Sequence, residues 1–201
     1  MYLFFGVETT GQPHSREMPM EDVHNWPRLV QLAFQLHDEH GCTLTAGNYL
    51  IRPGDFEIPS FASRRHGFTT EQAFGTGVCA REALEKFEER MQQAEFLVAH
   101  DLSWPQNIIG AEFLRLGMDD PFEDRALICT MEEATEFCEL EGPDGYRPPT
   151  LPELYRKLFN CPFREQPDAA ANLQAVARCF RELLRLELIE FEEEEEDVLN
   201  G

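Results

Sequence analysis

Lysine is nearly missing from this chain. Of its 17 basic residues only Lys86 and Lys157 are lysines and the other 15 are arginines, against 38 acids, for a net charge of −21. A protein that grips phosphates through a broad basic surface clusters Lys and Arg on one face, so this balance excludes that class. No apolar run approaches the ~20 residues a membrane-spanning helix needs. Residues 1–5 are apolar but lack a basic leader region and run directly into Glu8, so no secretory signal is read. The six cysteines (Cys42, Cys79, Cys129, Cys138, Cys161 and Cys179) form no CxxC pair. Most fall in apolar patterns such as "LICTM" and "AVARCF", which predicts buried free thiols ahead of zinc or disulfides, and a cytoplasmic location. Internal repeats and a linker between two cores are also missing.

What is present supports one packed domain. The chain has 201 residues, 42% of them apolar, with 16 phenylalanines, enough for a full core. The expected division is a domain over 1–186 and an acidic tail over 187–201. That tail, "ELIEFEEEEEDVLNG", holds eight acids and no base and reads as a solvated, disordered end, with mimicry of nucleic acid or pairing with a basic partner as alternatives. Without it the body still carries −13. A Lys-poor, Glu-rich balance fits an ordinary acidic protein or adaptation to a salt-rich cytoplasm.

Hydrophobic patterning predicts a strand over 2–7, a second within 28–38 ("RLVQLAFQLHD") and a third over 42–53, broken at Gly47, with "DEHG" as the turn between the last two. These form an antiparallel meander. Ala80, Leu84, Phe87 and Met91 mark one face of a helix within 78–94. "EFLVAH" (95–100) is a short buried strand between helices and hence parallel to its neighbour. A helix follows from Pro105 to near Gly117. Then come a strand over 125–131, a Gly/Pro-rich loop over 138–150, and helices over 151–159 and 169–187. Thr residues before "EQAFGTG" offer an N-cap. The fold class is α/β, with helices on both faces of a mixed sheet.

The first strand raises the chemical question. Apolar residues lead to Glu8 at its end, followed by Thr9, Thr10 and Gly11, which is how a buried strand delivers an acid to a site. Side chains two apart share a face, so Glu8 needs its partner at position 6, and position 6 is glycine.

"YLFFGVETTGQP", "HGFTTEQA", "EFLVAHDLSWPQNIIGAEFLRLG", "ICTMEEATEFCELEG" and "PDAAANLQAVARCFREL" occur in the order found in the DEDD 3′–5′ exonucleases. The chain resembles the ribonuclease T and DNA polymerase III proofreading-subunit type over roughly residues 1–186. The resemblance implies a ribonuclease-H-like fold with a five-stranded mixed sheet. It also implies phosphodiester hydrolysis in which four carboxylates hold two Mg²⁺ or Mn²⁺ ions about 3.5–4 Å apart, with a histidine as general base.

Laid on this chain, the family's first motif, Asp-x-Glu-Thr-Thr-Gly, reads Gly6-Val7-Glu8-Thr9-Thr10-Gly11. The second, Ala-His-Asn-x-x-Phe-Asp, reads Ala99-His100-Asp101-Leu102-Ser103-Trp104-Pro105. The third, His-x-Ala-x-x-Asp, reads Pro167-Asp168-Ala169-Ala170-Ala171-Asn172. Glu8 alone survives of five catalytic groups. Glycine and proline bring no ligand, and Asn172 offers at most a neutral oxygen where hard cations want charged ones. Asp101 and Asp168 could join Glu8 around a single ion, or serve as surface and cap carboxylates. By the resemblance, Thr9, Thr10, Gly11, His66, Gly67, Phe68 and Trp104 are candidates for a nucleotide pocket. Trp104 and Phe68 read first as ordinary cleft-lining or core aromatics and only then as a nucleotide site, and His66 and His100 as structural rather than catalytic histidines.

The expectation is therefore a catalytically inactive or nearly inactive exonuclease fold serving as a binding or regulatory module. A protein partner is expected ahead of nucleic acid, with no cofactor and no membrane. The alternative is an active 3′–5′ exonuclease on single-stranded DNA or RNA ends, using Mg²⁺ or Mn²⁺ at a site rebuilt around Glu8.

Overall fold

Strand β1 (Tyr2–Thr9) buries six of its eight residues, a pattern that only a central strand covered on both faces can satisfy. The computed structural model, which describes residues 1–189, places it so. The order is β3-β2-β1-β4-β5, with β2 (Leu29–His37), β3 (Thr43–Leu50), β4 (Phe96–Ala99) and β5 (Ala126–Cys129). β1, β2 and β3 pair antiparallel, whereas β4 pairs parallel with both β1 and β5. The expected five-stranded mixed sheet is the one observed. From residue 190 on, the stretch read as a disordered tail lies outside the described residues.

Alternation along β1 distributes its side chains between two layers. Leu3, Phe5 and Val7 pack with Leu84, Phe87 and Met91 of α3 (Ala80–Met91) and with Ile108 and Ile109 of α4 (Ser103–Arg115). Phe4 points the other way, into a cluster with Leu151 and Leu154 of α7 (Leu151–Phe159) and Leu173, Val176 and Phe180 of α8 (Ala169–Arg185). Gly6 and Glu8 share that second face. Gly6 sits against α8, where an added Cβ would meet Leu173 at 3.7 Å and Ala169 at 3.8 Å.

Two short helices, α1 (Ser60–His66) and α2 (Thr70–Thr76), pack at the start of β2 around Val30. Thr69 caps α2 in a reciprocal box with Gln72. Gly41, at φ +86°, makes the β2–β3 turn, where Asp38 accepts from the Cys42 N–H at 2.7 Å.

Several expectations are corrected. Gly47 does not break the third strand: it pairs with Phe34, whose ring, with that of Tyr49, fills the space where a Cβ would stand. α1 carries no predicted counterpart. Pro105 is the third residue of α4 rather than its first, still inside the turn whose N–H groups lack helical partners. The strand over 125–131 stops at Cys129 because Thr130 starts the short helix α5 (Thr130–Glu133), followed by α6 (Thr135–Cys138). The 138–150 loop contains a two-residue hairpin, β6 (Glu141–Gly142) and β7 (Gly145–Tyr146). All six cysteines are free, but only Cys129, Cys138 and Cys179 are buried; Cys42, Cys79 and Cys161 are exposed.

Candidate active site

The ends of β1 and β4, the first turn of α4, the first turns of α8 and the Pro148–Leu151 segment converge on a cavity of about 310 Å³. Gly6, Glu8, Trp104, Pro105 and Asn172 all line it. Positions far apart in the chain, singled out by motif alone, therefore face one space.

Glu8 is 8% exposed. Burial pushes its carboxyl up to about 7; the Arg65 guanidinium opposes that rise, while Glu165 and Asp168 add to it. Arg65, in the last turn of α1, places Nη2 3.9 Å from a Glu8 oxygen. The cavity thus brings its own cation to Glu8.

The other candidates are engaged elsewhere. Asn172 accepts from the Gln166 N–H at 2.8 Å and donates to the Gln166 carbonyl at 2.7 Å, pinning the loop before α8. Asp168 caps α8 through the Ala170 N–H (2.9 Å) and accepts from Gln31 (2.8 Å). Asp101, held at φ +56°, accepts two bonds from Arg16 at 2.9 and 3.2 Å. The same guanidinium lies 5.2 Å over the Trp104 ring. Pro167 is exposed and does not line the cavity.

Of the nucleotide-pocket candidates only Trp104 faces this space. Thr9 donates to the Gly11 carbonyl at 2.9 Å, and Thr10 accepts from the Arg28 N–H at 2.9 Å. Gly11 packs on Phe61, and Gly67 ends α1 at φ +84°. Phe68 packs against the small cluster around Val30. His66 is buried, with Nδ1 accepting from the Phe68 N–H and Nε2 without a hydrogen-bond partner among the described residues; burial holds its pKa low, against a smaller raising effect of the Thr9 backbone. His100 bridges Thr130 (3.0 Å) and the Pro149 carbonyl (3.1 Å), and burial drives its pKa down to about 4. It is a neutral brace between β4, α5 and the loop.

A two-ion centre needs several charged oxygens on one space. Here Glu8 leans toward its neutral form, Arg65 stands beside it, Asp101 is tied to Arg16, and Asn172 uses both amide atoms on the backbone. Among the described residues no group of three His, Cys, Asp or Glu could hold a metal ion. The donor set does not fit the two divalent ions that the resemblance implies. Arg16, Arg65 and Glu165, which sequence reasoning missed, also line the cavity. The Arg64–Arg65 doublet before "HGFT", in so base-poor a chain, was a signal for Arg65 alone.

No family model matches the chain, and neither does any curated protein. Solved structures do. Escherichia coli exonuclease I in complex with a dA16 oligonucleotide superposes with a TM-score of 0.69 at 16% identity, over 93% of this chain and 41% of that one. The same enzyme with a 5cy-dT13 oligonucleotide gives 0.71 at 16% identity, over 93% and 41%. A further exonuclease I structure gives 0.71 at 17%, over 93% and 42%. The fold is the ribonuclease-H-like exonuclease fold. The chain spans about two fifths of the length of the exonuclease I structures it matches, and identity this low shows architecture alone.

Proposed function

We propose that this exonuclease fold no longer hydrolyses phosphodiesters and serves as a binding module. The observation that carries the reading is the state of Glu8: the one acid left of the family's set is buried, pushed toward neutrality and faced by a guanidinium rather than by further carboxylates. Two divalent cations would have to displace Arg65 and ionise Glu8 with little compensating charge, which opposes their binding. The net charge of −21 supports a protein partner over a polyanion. A single-stranded 3′ end is the competing ligand, since base stacking on Trp104 would need no metal.

Digestion of a 3′-end-labelled single strand with Mg²⁺ and with Mn²⁺, at low and multimolar salt, tests this. The expected result is no shortening by wild type or by Glu8→Ala. Metal-dependent shortening that vanishes in Glu8→Ala would reinstate an active exonuclease with a rebuilt site.

A further inference from the structure

Three acids, Glu8, Asp101 and Glu165, line the cavity beside two guanidiniums, those of Arg16 and Arg65, and its histidine, His100, is neutral. The space is therefore one positive charge short. Geometry decides where the shortfall lies. Asp101 and Arg16 neutralise each other through two hydrogen bonds, at 2.9 and 3.2 Å. Arg65 is left to serve both Glu8 and Glu165, and it acts on each of them. It serves Glu8 poorly. Their 3.9 Å separation is too long for a hydrogen bond, and the Arg65 side chain is 59% exposed, so water competes for it.

Glu8 thus differs from the other deeply buried acid. Glu112 of α4 is 2% exposed and accepts from two guanidiniums and a backbone N–H. Glu8 is 8% exposed and has no hydrogen bond to any described residue. A buried acceptor ordinarily has a donor. The donor missing here is one that enters from the cavity and carries a single positive charge.

The cavity suits a side chain in that role. At about 310 Å³ it lies at the small end of ligand pockets. Exposed Gln12, Arg65 and Glu165 surround buried Glu8, Pro105 and Leu173. Trp104, Met131 and Pro149 add apolar wall. An arginine matches each part: its stem covers apolar surface, its guanidinium is less strongly hydrated than an ammonium, and its five donors can address Glu8 and Glu165 together. A divalent ion wants more charged oxygens than the cavity supplies. A phosphate brings the wrong sign to a space already short of positive charge.

We propose that the cavity is a socket for one arginine side chain of a protein partner, with Glu8 as its counter-charge. The inference rests on the reading of this fold as a binding module, and the net charge of −21 draws a basic partner toward it.

The test follows the indole Nε1–Hε1 signals of the full chain at pH 8. Trp104 lines the cavity, and Trp26, whose indole donates to the Pro19 carbonyl, is the control. The probe is the end-blocked peptide Gly-Gly-Arg-Gly-Gly. It is expected to shift Trp104 and not Trp26. Binding is expected to weaken about tenfold or more in Glu8→Gln and to tighten about threefold in Arg65→Gln, which removes the competing cation. Opposite signs in two variants of one cavity do not follow from loss of the fold. The same peptide with uncharged citrulline in place of arginine is expected to give no shift. Equal shifts with citrulline, or an affinity unchanged by Glu8→Gln, would overturn the proposal. Tighter binding of free arginine than of the peptide would overturn it in favour of a metabolite, and tighter binding of thymidine 5′-monophosphate in favour of phosphate. Mg²⁺ alone is expected to leave Trp104 in place. A Mg²⁺-dependent shift together with shortening of a labelled strand would overturn the inactive reading beneath the proposal, whereas silence toward both Mg²⁺ and the peptide would overturn the socket alone.

Discussion

At the scale of single residues the site is governed by where charge can survive burial. Glu8 has a folded pKa of about 7 against an ordinary value of 4.5. Its neutral form is the one the fold tolerates, so its contribution to stability is complete below about pH 4.5 and is lost as pH rises through 7. Glu8→Gln is accordingly expected to remove that loss, leaving thermal melts of wild type and variant alike at pH 5 and the variant higher at pH 8. His37 and His100 act with the opposite sign. Their pKa values fall from 6.5 to about 4, so the stability they carry is present above pH 6.5 and lost as pH falls through 4. Melts of wild type below pH 5 are expected to show that second decline, and His100→Gln to blunt it.

Elements meet at two polar joints that motif reading did not anticipate. Glu112 of α4 is 2% exposed and binds Arg28 (2.9 Å), Arg115 (2.8 Å) and the Leu29 N–H (3.1 Å), tying α4 to the start of β2. Arg115 also donates to the Trp26 carbonyl at 2.7 Å. Glu112→Gln leaves two partly buried guanidiniums short of their carboxylate and is expected to cost about 3–5 kcal/mol in denaturant unfolding. Asn172 is the smaller joint: Asn172→Ala removes both bonds to Gln166 and is expected to cost about 1–3 kcal/mol in the same measurement. Amphipathic elements such as α3 and α8 were legible because their periodicity is a local record of which face is buried. α1 was not, because seven residues with two buried side chains hold too little periodicity to register. Gly47 was misread for a related reason, since a glycine kept for the space taken by Phe34 looks locally like one kept for a turn.

For the whole molecule, like charge opposes compaction. With −21 spread over one chain, self-repulsion is expected to weaken as the screening length shrinks from about 10 Å at 0.1 M salt to about 3 Å at 1 M. Melting temperature should therefore rise across that range in NaCl; a flat or falling curve would show that local ion pairs outweigh the global repulsion.

The five strands, the mixed sheet and the longer helices were written in the sequence, as was the absence of an acid at positions 6, 105 and 172. Hydrophobic periodicity and the presence or absence of a carboxylate are properties of local residues. Which groups line the cavity beside Glu8 was decided only in three dimensions. Arg65 reaches Glu8 from a helix 57 positions away in the chain, and Asn172 and Asp168 proved to be bracing groups once their hydrogen-bond partners were in view. The cause is the same throughout: a side chain's charge and role depend on burial and on partners brought from distant segments, and no local pattern encodes either.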